Sequence, residues 1–348
     1  MKFNFKALVK KTLPGFLALI ALITLFSATP AQLSALAAPD SITIGVLTTT
    51  DMHGRIYNID PLTGNTVNNS FLKVATLVNT QRATLDGTIV IDNGDTIQGT
   101  AMSSYNVNIE GGENNPLAIC LRYIGYDVFV PGNHEFNYTL DVQKRFYDML
   151  AAPTGSTLPG NPVPAVAANI LDVVTEEVAP PFKPYIIKEY IVGEKTFRIG
   201  VLGFTNMNVP NWDPASHYEG MKFAHAGNTQ QYYAYEWTNY WQDQLRNVEK
   251  CDIVIVSAHS GTGSSRESQI THFISNTTGI IILTDRATAT TWYIKPSYGP
   301  QEPMFPSPAM SQEAASVPVP CSHLGQLQPL LASRTSTSCI SMIIIPCL

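Results

Sequence analysis

Thr88-Ile89-Val90-Ile91-Asp92-Asn93-Gly94-Asp95 begins as a run of β-branched apolar residues and ends in carboxylates, an amide and a glycine. A run this short, closed by Asx residues and glycine, reads as a buried strand that leaves its sheet at Asp92. The same pattern recurs along the chain. Ile42 to Leu47 leads into Asp51-Met52-His53-Gly54, Asp127 to Val130 into Gly132-Asn133-His134-Glu135, and Ile253 to Ser257 into Ala258-His259-Ser260-Gly261. Further strand candidates are Ala165 to Asn169, Phe197 to Phe204 and Ile280 to Leu283. Helical patterns run over Phe71 to Leu85, Pro116 to Ile124, Leu140 to Leu150 and Thr229 to Val248. Strands alternating with helices predict an α/β fold, layered, with both sheet faces covered. Ligands gather at the carboxyl ends of strands in such sheets, so polar clusters after several strands point to one convergent site.

The chain has 348 residues and a formal net charge of −6. That balance argues against an electrostatic grip on a nucleic-acid polymer, which needs a clustered basic surface. Lys2, Lys6, Lys10 and Lys11 precede the apolar stretch Leu13 to Phe26, and small residues follow to Ala35-Leu36-Ala37-Ala38. This pattern predicts an export signal over 1–38, cleaved near Ala37 or Ala38, and a periplasmic, wall-associated or secreted protein. The apolar stretch contains Pro14 and Gly15 and is shorter than the roughly 20 residues that span a bilayer. No Cys/His zinc spacing exists. Cys120 and Cys251 could pair in an oxidising compartment or stand as buried free thiols.

Each polar cluster alone is a weak signal; Asp92-Asn93-Gly94-Asp95, for example, fits a simple Asx turn. Together they have a chemical logic. Asp51 and His53 supply a carboxylate and an imidazole, Asp95 a carboxylate between two ions, and Asn133 and His259 an amide and an imidazole. Mixed N/O donors suit catalytic Zn, Mn, Fe, Co or Ni, and a carboxylate can bridge two ions about 4 Å apart. This is the equipment of metal-assisted phosphoester hydrolysis. A serine nucleophile at Ser260 is disfavoured, because no Gly-x-Ser-x-Gly elbow surrounds it and adjacent extended residues point apart.

In order and spacing, Asp51-x-His53, Gly94-Asp95, Gly132-Asn133-His134-Glu135 and His259-Ser260-Gly261 resemble the calcineurin-like metallophosphoesterases. Within that superfamily the strings Thr49-Thr50-Asp51-Met52-His53-Gly54, Ile91 to Gly99 and Gly132 to Tyr138 resemble the exported 5′-nucleotidases and, most of all, the 2′,3′-cyclic-nucleotide 2′-phosphodiesterase/3′-nucleotidases. The resemblance implies a layered sandwich of mixed sheets flanked by helices and two divalent metal ions. It also implies hydrolysis of a nucleotide or cyclic nucleotide by a metal-activated hydroxide, in a chain that is a monomer. By the same resemblance Asp51 and His53 hold one ion, Asp95 bridges, Asn133 and His259 hold the other, and Asn133 and His134 meet the substrate. His134 does not ligate; it stabilises the transition state or protonates the leaving oxygen. Many 5′-nucleotidases orient this histidine with an aspartate three residues on, where this chain has Asn137, and that difference favours the cyclic-phosphodiesterase branch.

The resemblance covers about Ser41 to Thr284 and then stops. The family continues into Gly-His-x-His, which completes both ions; here Asp285-Arg286-Ala287-Thr288 follows, and His323 is the only later histidine. The expected domain thus spans 39–284 and is incomplete at its C-terminus, with an aberrant low-complexity tail over 285–348. Reading Arg286-Ala287-Thr288-Ala289-Thr290 from the third base of the arginine codon gives NGC, NAC, NGC, NAC, a pattern that permits Gly-His-Gly-His. A frameshift near Thr284 is therefore expected, and with it an impaired phosphoesterase. The alternative is a non-catalytic exported binding protein that keeps a degenerate metal site.

Overall fold

The computed structural model describes residues 41–67, 69–224, 230–260, 280–284 and 340–347. The expected export signal and residues 285–339 of the expected tail lie outside the described residues. In chain order the strands are β1 (Ile42–Thr49), β2 (Gly87–Asp92), β3 (Val128–Phe129), β4 (Ile170–Asp172), β5 (Tyr185–Val192), β6 (Lys195–Phe204), β7 (Met221–Phe223), β8 (Ile253–Ala258), β9 (Ile280–Thr284) and β10 (Ile340–Cys347). The helices are α1 (Phe71–Arg82), α2 (Ala101–Asn108), α3 (Pro116–Ile124), α4 (Leu140–Ala151), α5 (Val209–Trp212) and α6 (Gln230–Asp243).

Two four-stranded sheets carry the architecture, ordered β10-β1-β2-β3 and β5-β6-β8-β9, with β4 and β7 forming a separate pair. β1, β2 and β3 run parallel, as do β6, β8 and β9. β5 joins β6 as an antiparallel hairpin, and β10 lies antiparallel to β1 with Ile42 opposite Cys347. The period-two alternation of a strand explains the layers. Ile44, Val46, Ile89, Ile91 and Val128 share a core with Ile199, Val201, Ile253 and Ile255 of the second sheet. Their neighbours Leu47, Val90 and Phe129 face the other way and pack with Phe71, Val74, Leu117, Leu121 and Phe146 of the helices. Val254 and Val256 similarly turn outward to Leu245, Trp237 and Trp241. The result is helix, sheet, sheet, helix, the layered α/β sandwich of mixed sheets expected from the sequence. Because both faces of the parallel strands are buried, their sequences are continuous apolar runs.

Local chemistry sets the helix starts. Ser70 caps α1 by accepting from Lys73 N, Thr100 and Ser103 form a capping box on α2, and Asn115 accepts from Leu117 N and Ala118 N ahead of Pro116 in α3. Among the segments that differ from the sequence expectation, three are instructive. Ala165 to Asn169 is no strand: Val166 N donates to Phe129 O and Ala168 N to Gly203 O, so the segment laces one sheet to the other. β5, Tyr-Ile-Ile-Lys-Glu-Tyr-Ile-Val, went unseen because as an edge strand it is only partly covered and lacks a clean alternation. α2 was missed because its buried residues are Ser103, Asn106 and Val107, which give no apolar stripe. Cys120 and Cys251 are free thiols. They pack in different apolar clusters, and burial pushes each up to about 11. Among the described residues no helix is long and apolar enough to cross a membrane.

Candidate metal centre

The strands that carry the polar clusters end level with one another. Thr49 of β1 pairs with Asp92 of β2, Asp92 with Phe129 of β3, and Phe204 of β6 with Ala258 of β8. The loops after β1 and β2 are then stitched together: Asp51 N donates to Gly94 O (3.0 Å), His53 N to Asp95 O (2.9 Å) and Gly54 N to Thr96 O (2.8 Å). Asp51, His53 and Asp95 all adopt left-handed backbone, with φ of 53°, 47° and 57°. Each such non-glycine residue costs on the order of 1–3 kcal/mol and persists only where its surroundings over-determine it. Gly94 and Gly132 permit the close approach of the second and third loops. A Cβ on Gly94 would fall 2.2 Å from Gly132 N, and one on Gly132 would fall 2.3 Å from Asp95 Oδ1 and 2.7 Å from His259 Cε1.

Asp92 and Asn93 hold the frame. Asp92 accepts from Thr49 Oγ1 (2.6 Å), Thr96 Oγ1 (2.6 Å) and Gly94 N (3.2 Å), the last being the Asx turn legible in the sequence. Burial nevertheless pushes Asp92 up to about 7. Asn93 crosses between the sheets, donating to Ala258 O and accepting from Ser257 Oγ. Glu135, fully buried, accepts from Asp95 N (2.9 Å), Thr96 N (2.8 Å), Ile97 N (3.2 Å) and Gly132 N (2.6 Å).

Within this frame the imidazoles converge on Asp95. Its Oδ2 lies 3.3 Å from His259 Nε2 and 3.8 Å from His134 Nε2, and Asp51 Oδ1 lies 3.8 Å from His53 Nε2. Ligand atoms of Asp51, Asp95 and His259 lie within 4.8 Å of one another, and so do those of His53, Asp95 and His134. Asp95 belongs to both groups. Burial alone would raise its carboxyl, but His259 and His134 hold it down to about 2. Asp51 is raised, chiefly by burial.

The other ring nitrogens show how the site fits a metal. His259 Nδ1 lies 2.5 Å from Asn93 O, and His53 Nδ1 lies 3.1 Å from Gln98 O. A carbonyl oxygen only accepts, so each Nδ1 carries the proton and each Nε2 presents a lone pair beside a carboxylate. Metal-ligating histidines have this arrangement, and the N/O donor set suits divalent transition ions. His134 differs, because its Nδ1 meets a side-chain amide, Asn137 Oδ1, at 2.6 Å. Its backbone N donates to Asp95 Oδ1 (2.9 Å). Asn133 precedes it at the start of a 3₁₀ turn, His134–Asn137, with a half-buried side chain that caps nothing.

The structure thus brings Asp51, His53, Asp95, His134 and His259 together, with Asn133 on the same turn as His134. The grouping by distance sets Asp51 beside His259 as well as His53, and places His134 with His53 and Asp95. Sequence reasoning missed Asn93, Gln98, Glu135 and Asp213. The first three lie inside the quoted strings and carried no separate signal. Asp213 follows another polar run at a strand end, Thr205-Asn206 after β6, which alone could have drawn notice.

No family model matches the chain. It is 30% identical over 230 residues to a 2′,3′-cyclic-nucleotide 2′-phosphodiesterase/3′-nucleotidase of Salmonella typhimurium, a match covering 64% of this chain and 32% of that one. It is 32% identical over 184 residues to a protein of the same description from Yersinia enterocolitica, covering 51% of this chain and 26% of the relative. The chain therefore spans about a third or less of the length of these curated relatives. Among solved structures, the calcineurin-like phosphoesterase YfkN from Bacillus subtilis superposes with a TM-score of 0.56 at 24% identity, over 70% of this chain and 72% of that one. The chain is thus similar, over part of their length, to 2′,3′-cyclic-nucleotide 2′-phosphodiesterase/3′-nucleotidases and has the fold of the calcineurin-like phosphoesterases.

Proposed function

We propose that this chain is an exported, metal-dependent hydrolase of nucleotide phosphoesters, of the 2′,3′-cyclic-nucleotide phosphodiesterase/3′-nucleotidase or 5′-nucleotidase type. The observation that carries the reading is Asp95, buried and shared by both donor groups, with imidazole Nε2 atoms turned towards it. Asp51 and His53 would hold one divalent ion, Asn133 and His259 a second, and Asp95 both. Bound ions of this kind lower the pKa of water and neutralise charge on phosphoryl oxygens. The residues of the chain supply the rest. The stitched loops fix the donor positions before any ligand arrives, and Asn133 and His134 meet the phosphoryl group. His134, held by Asn137 through Nδ1, keeps Nε2 for the reacting end, where its doubly protonated form would stabilise charge or deliver a proton from Nε2 to the leaving oxygen.

The homologues' names, the fold and the donor set support this reading, and the N-terminal sequence supports export. Turnover should be low. By resemblance each ion needs one more histidine than Asp51, His53, Asn133 and His259 supply, and even outer-shell losses cost about 10–100-fold.

The test is metal content by mass spectrometry together with hydrolysis of bis-p-nitrophenyl phosphate and a 2′,3′-cyclic nucleotide. Asp95→Asn should lose both metal and turnover, because a shared carboxylate cannot be replaced for one ion alone. His134→Ala should keep the metal and lose turnover. An Asp95→Asn protein that retains two metals and full turnover would refute the assignment. Metal bound without any turnover would mark a binding protein instead.

A further inference from the structure

Asn137 is an amide where orientation of a histidine by a carboxylate would be simplest, and its surroundings show how the chain manages. Its Oδ1 lies 2.6 Å from His134 Nδ1 and accepts from Gln98 Nε2 at 2.8 Å, while its Nδ2 donates to Asp213 Oδ1 at 2.8 Å. The two ends of an amide have nearly the same shape, so which end faces the imidazole is set by the partners. Gln98 Nε2 can only donate and an ionised Asp213 can only accept. Asp213 therefore imposes the orientation with Oδ1 towards His134, and Gln98, whose own amide can present either end, follows it by donating. A carbonyl oxygen in turn demands a proton on Nδ1, which leaves Nε2 as the atom facing Asp95.

We infer that Asp213 is a positioning residue for His134, acting through Asn137 to fix the orientation of the amide and hence the tautomer of the ring. Local backbone geometry puts the carboxylate in place: Asp213 N makes the last bond of the short helix α5, to Val209 O, and its extended backbone (φ −116°, ψ 149°) turns the chain out of the helix there. Its second oxygen, Oδ2, is buried and has no hydrogen-bond partner among the described residues. Among the described residues the carboxylate is thus committed to Asn137 alone. In effect the negative group that would sit at 137 has been moved one residue further along the relay, from the 3₁₀ turn to the end of α5.

The kinetic consequence rests on the proposed phosphoesterase activity, but the tautomer does not, so the experiment has two arms. In the first, the full chain, labelled with ¹⁵N in its histidine rings and treated with a chelator, is examined by two-bond ¹H–¹⁵N correlation. The His134 signal is assigned by its loss in His134→Gln. At a pH where the ring is neutral, wild type should show a protonated Nδ1 and a bare Nε2; Asp213→Ala and the isosteric Asp213→Asn should both lose that exclusive preference while the remaining histidine signals persist. In the second arm, either Asp213 variant should lower kcat by about tenfold or more with KM little changed. Asn137→Asp alone should be as harmful, since two carboxylates would face each other across the present 2.8 Å contact. The double variant Asn137→Asp/Asp213→Asn restores one carboxylate and one amide in the relay and should recover most of the lost kcat. A merely structural role for Asp213 predicts no such rescue. An unchanged tautomer in both Asp213 variants, or a double variant no better than Asn137→Asp, overturns the inference. If the chain shows no turnover, the first arm decides alone, and the failure belongs to the phosphoesterase reading.

Discussion

Glu135 illustrates how much of the site is built by residues that touch no ligand. Its carboxylate gathers four backbone N–H groups, from Asp95, Thr96, Ile97 and Gly132, and so ties the loop after β2 to the loop after β3. Four donors call for the ionised form, which accepts through both oxygens. Burial and the charge of Asp95 push the group up, while the backbone N–H groups oppose that rise. Glu135→Gln keeps the shape but turns an NH₂ towards two of those donors. Each buried N–H left unsatisfied costs about 1–3 kcal/mol, so urea unfolding should show a loss of about 2–6 kcal/mol. Metal affinity should fall with it, because Asp95 sits on the loop that is released. A Glu135→Gln protein with wild-type stability would show that the clamp is idle. The identity of Glu135 was legible in the sequence as part of a polar cluster; its role was not, because its partners are backbone atoms 38 to 40 residues away as well as one nearby.

At the scale of elements, the strands announced themselves wherever both of their faces are buried. Ile253–Ala258 is covered on every residue, and its side chains divide by period two between the core that joins the sheets and the outer core beneath α6. Ile255 lies in the inter-sheet core, opposite Val201 in the ladder, and is fully buried. Ile255→Ala should therefore cost about 2–5 kcal/mol, combining lost transfer energy with the cavity left behind. The expected readout is a lower denaturant midpoint with an unchanged slope. A loss below about 1 kcal/mol would mean that the two sheets close over the gap more easily than the usual range allows. β5 and α2 escaped the sequence reading for the converse reason. One is an edge strand and the other a capped helix with polar buried residues, so neither leaves the apolar periodicity that a burial pattern imprints.

For the whole molecule, the site exists only because strands of both sheets finish at one edge. Asp51, Asp95 and His134 follow β1, β2 and β3, whereas His259 follows β8, and Asn93 spans the gap by bonding to Ser257 and Ala258. The sequence also predicts a change of reading frame near Thr284. Resequencing should find histidine codons in the neighbouring frame across Arg286 to Thr290, where the residues as given allow NAC twice. An early stop there, or codons for other residues at both positions, would dispose of the idea. If the frame holds, restoring it should raise turnover towards that of an intact relative. The chain as given also places Ile340–Cys347 against β1, a strand whose pairing the residue pattern of the tail had not suggested.

By itself the sequence determined the layered α/β class and the strands buried on both faces, and it pointed to the residue types of a candidate metal centre, because burial and ligand chemistry both constrain residue type at each position. Asp95 was expected between the two ions from the sequence; tertiary structure alone decided that Asp51 groups with His259, and His53 with His134, around it. It also decided that Nδ1 of His53 and of His259 is spent on a backbone carbonyl, and that Asp213 stands behind Asn137. The reason is physical. A ring's tautomer, an amide's orientation and a carboxylate's partners are fixed by atoms that arrive from distant segments, and no local pattern in the chain records which segments will meet.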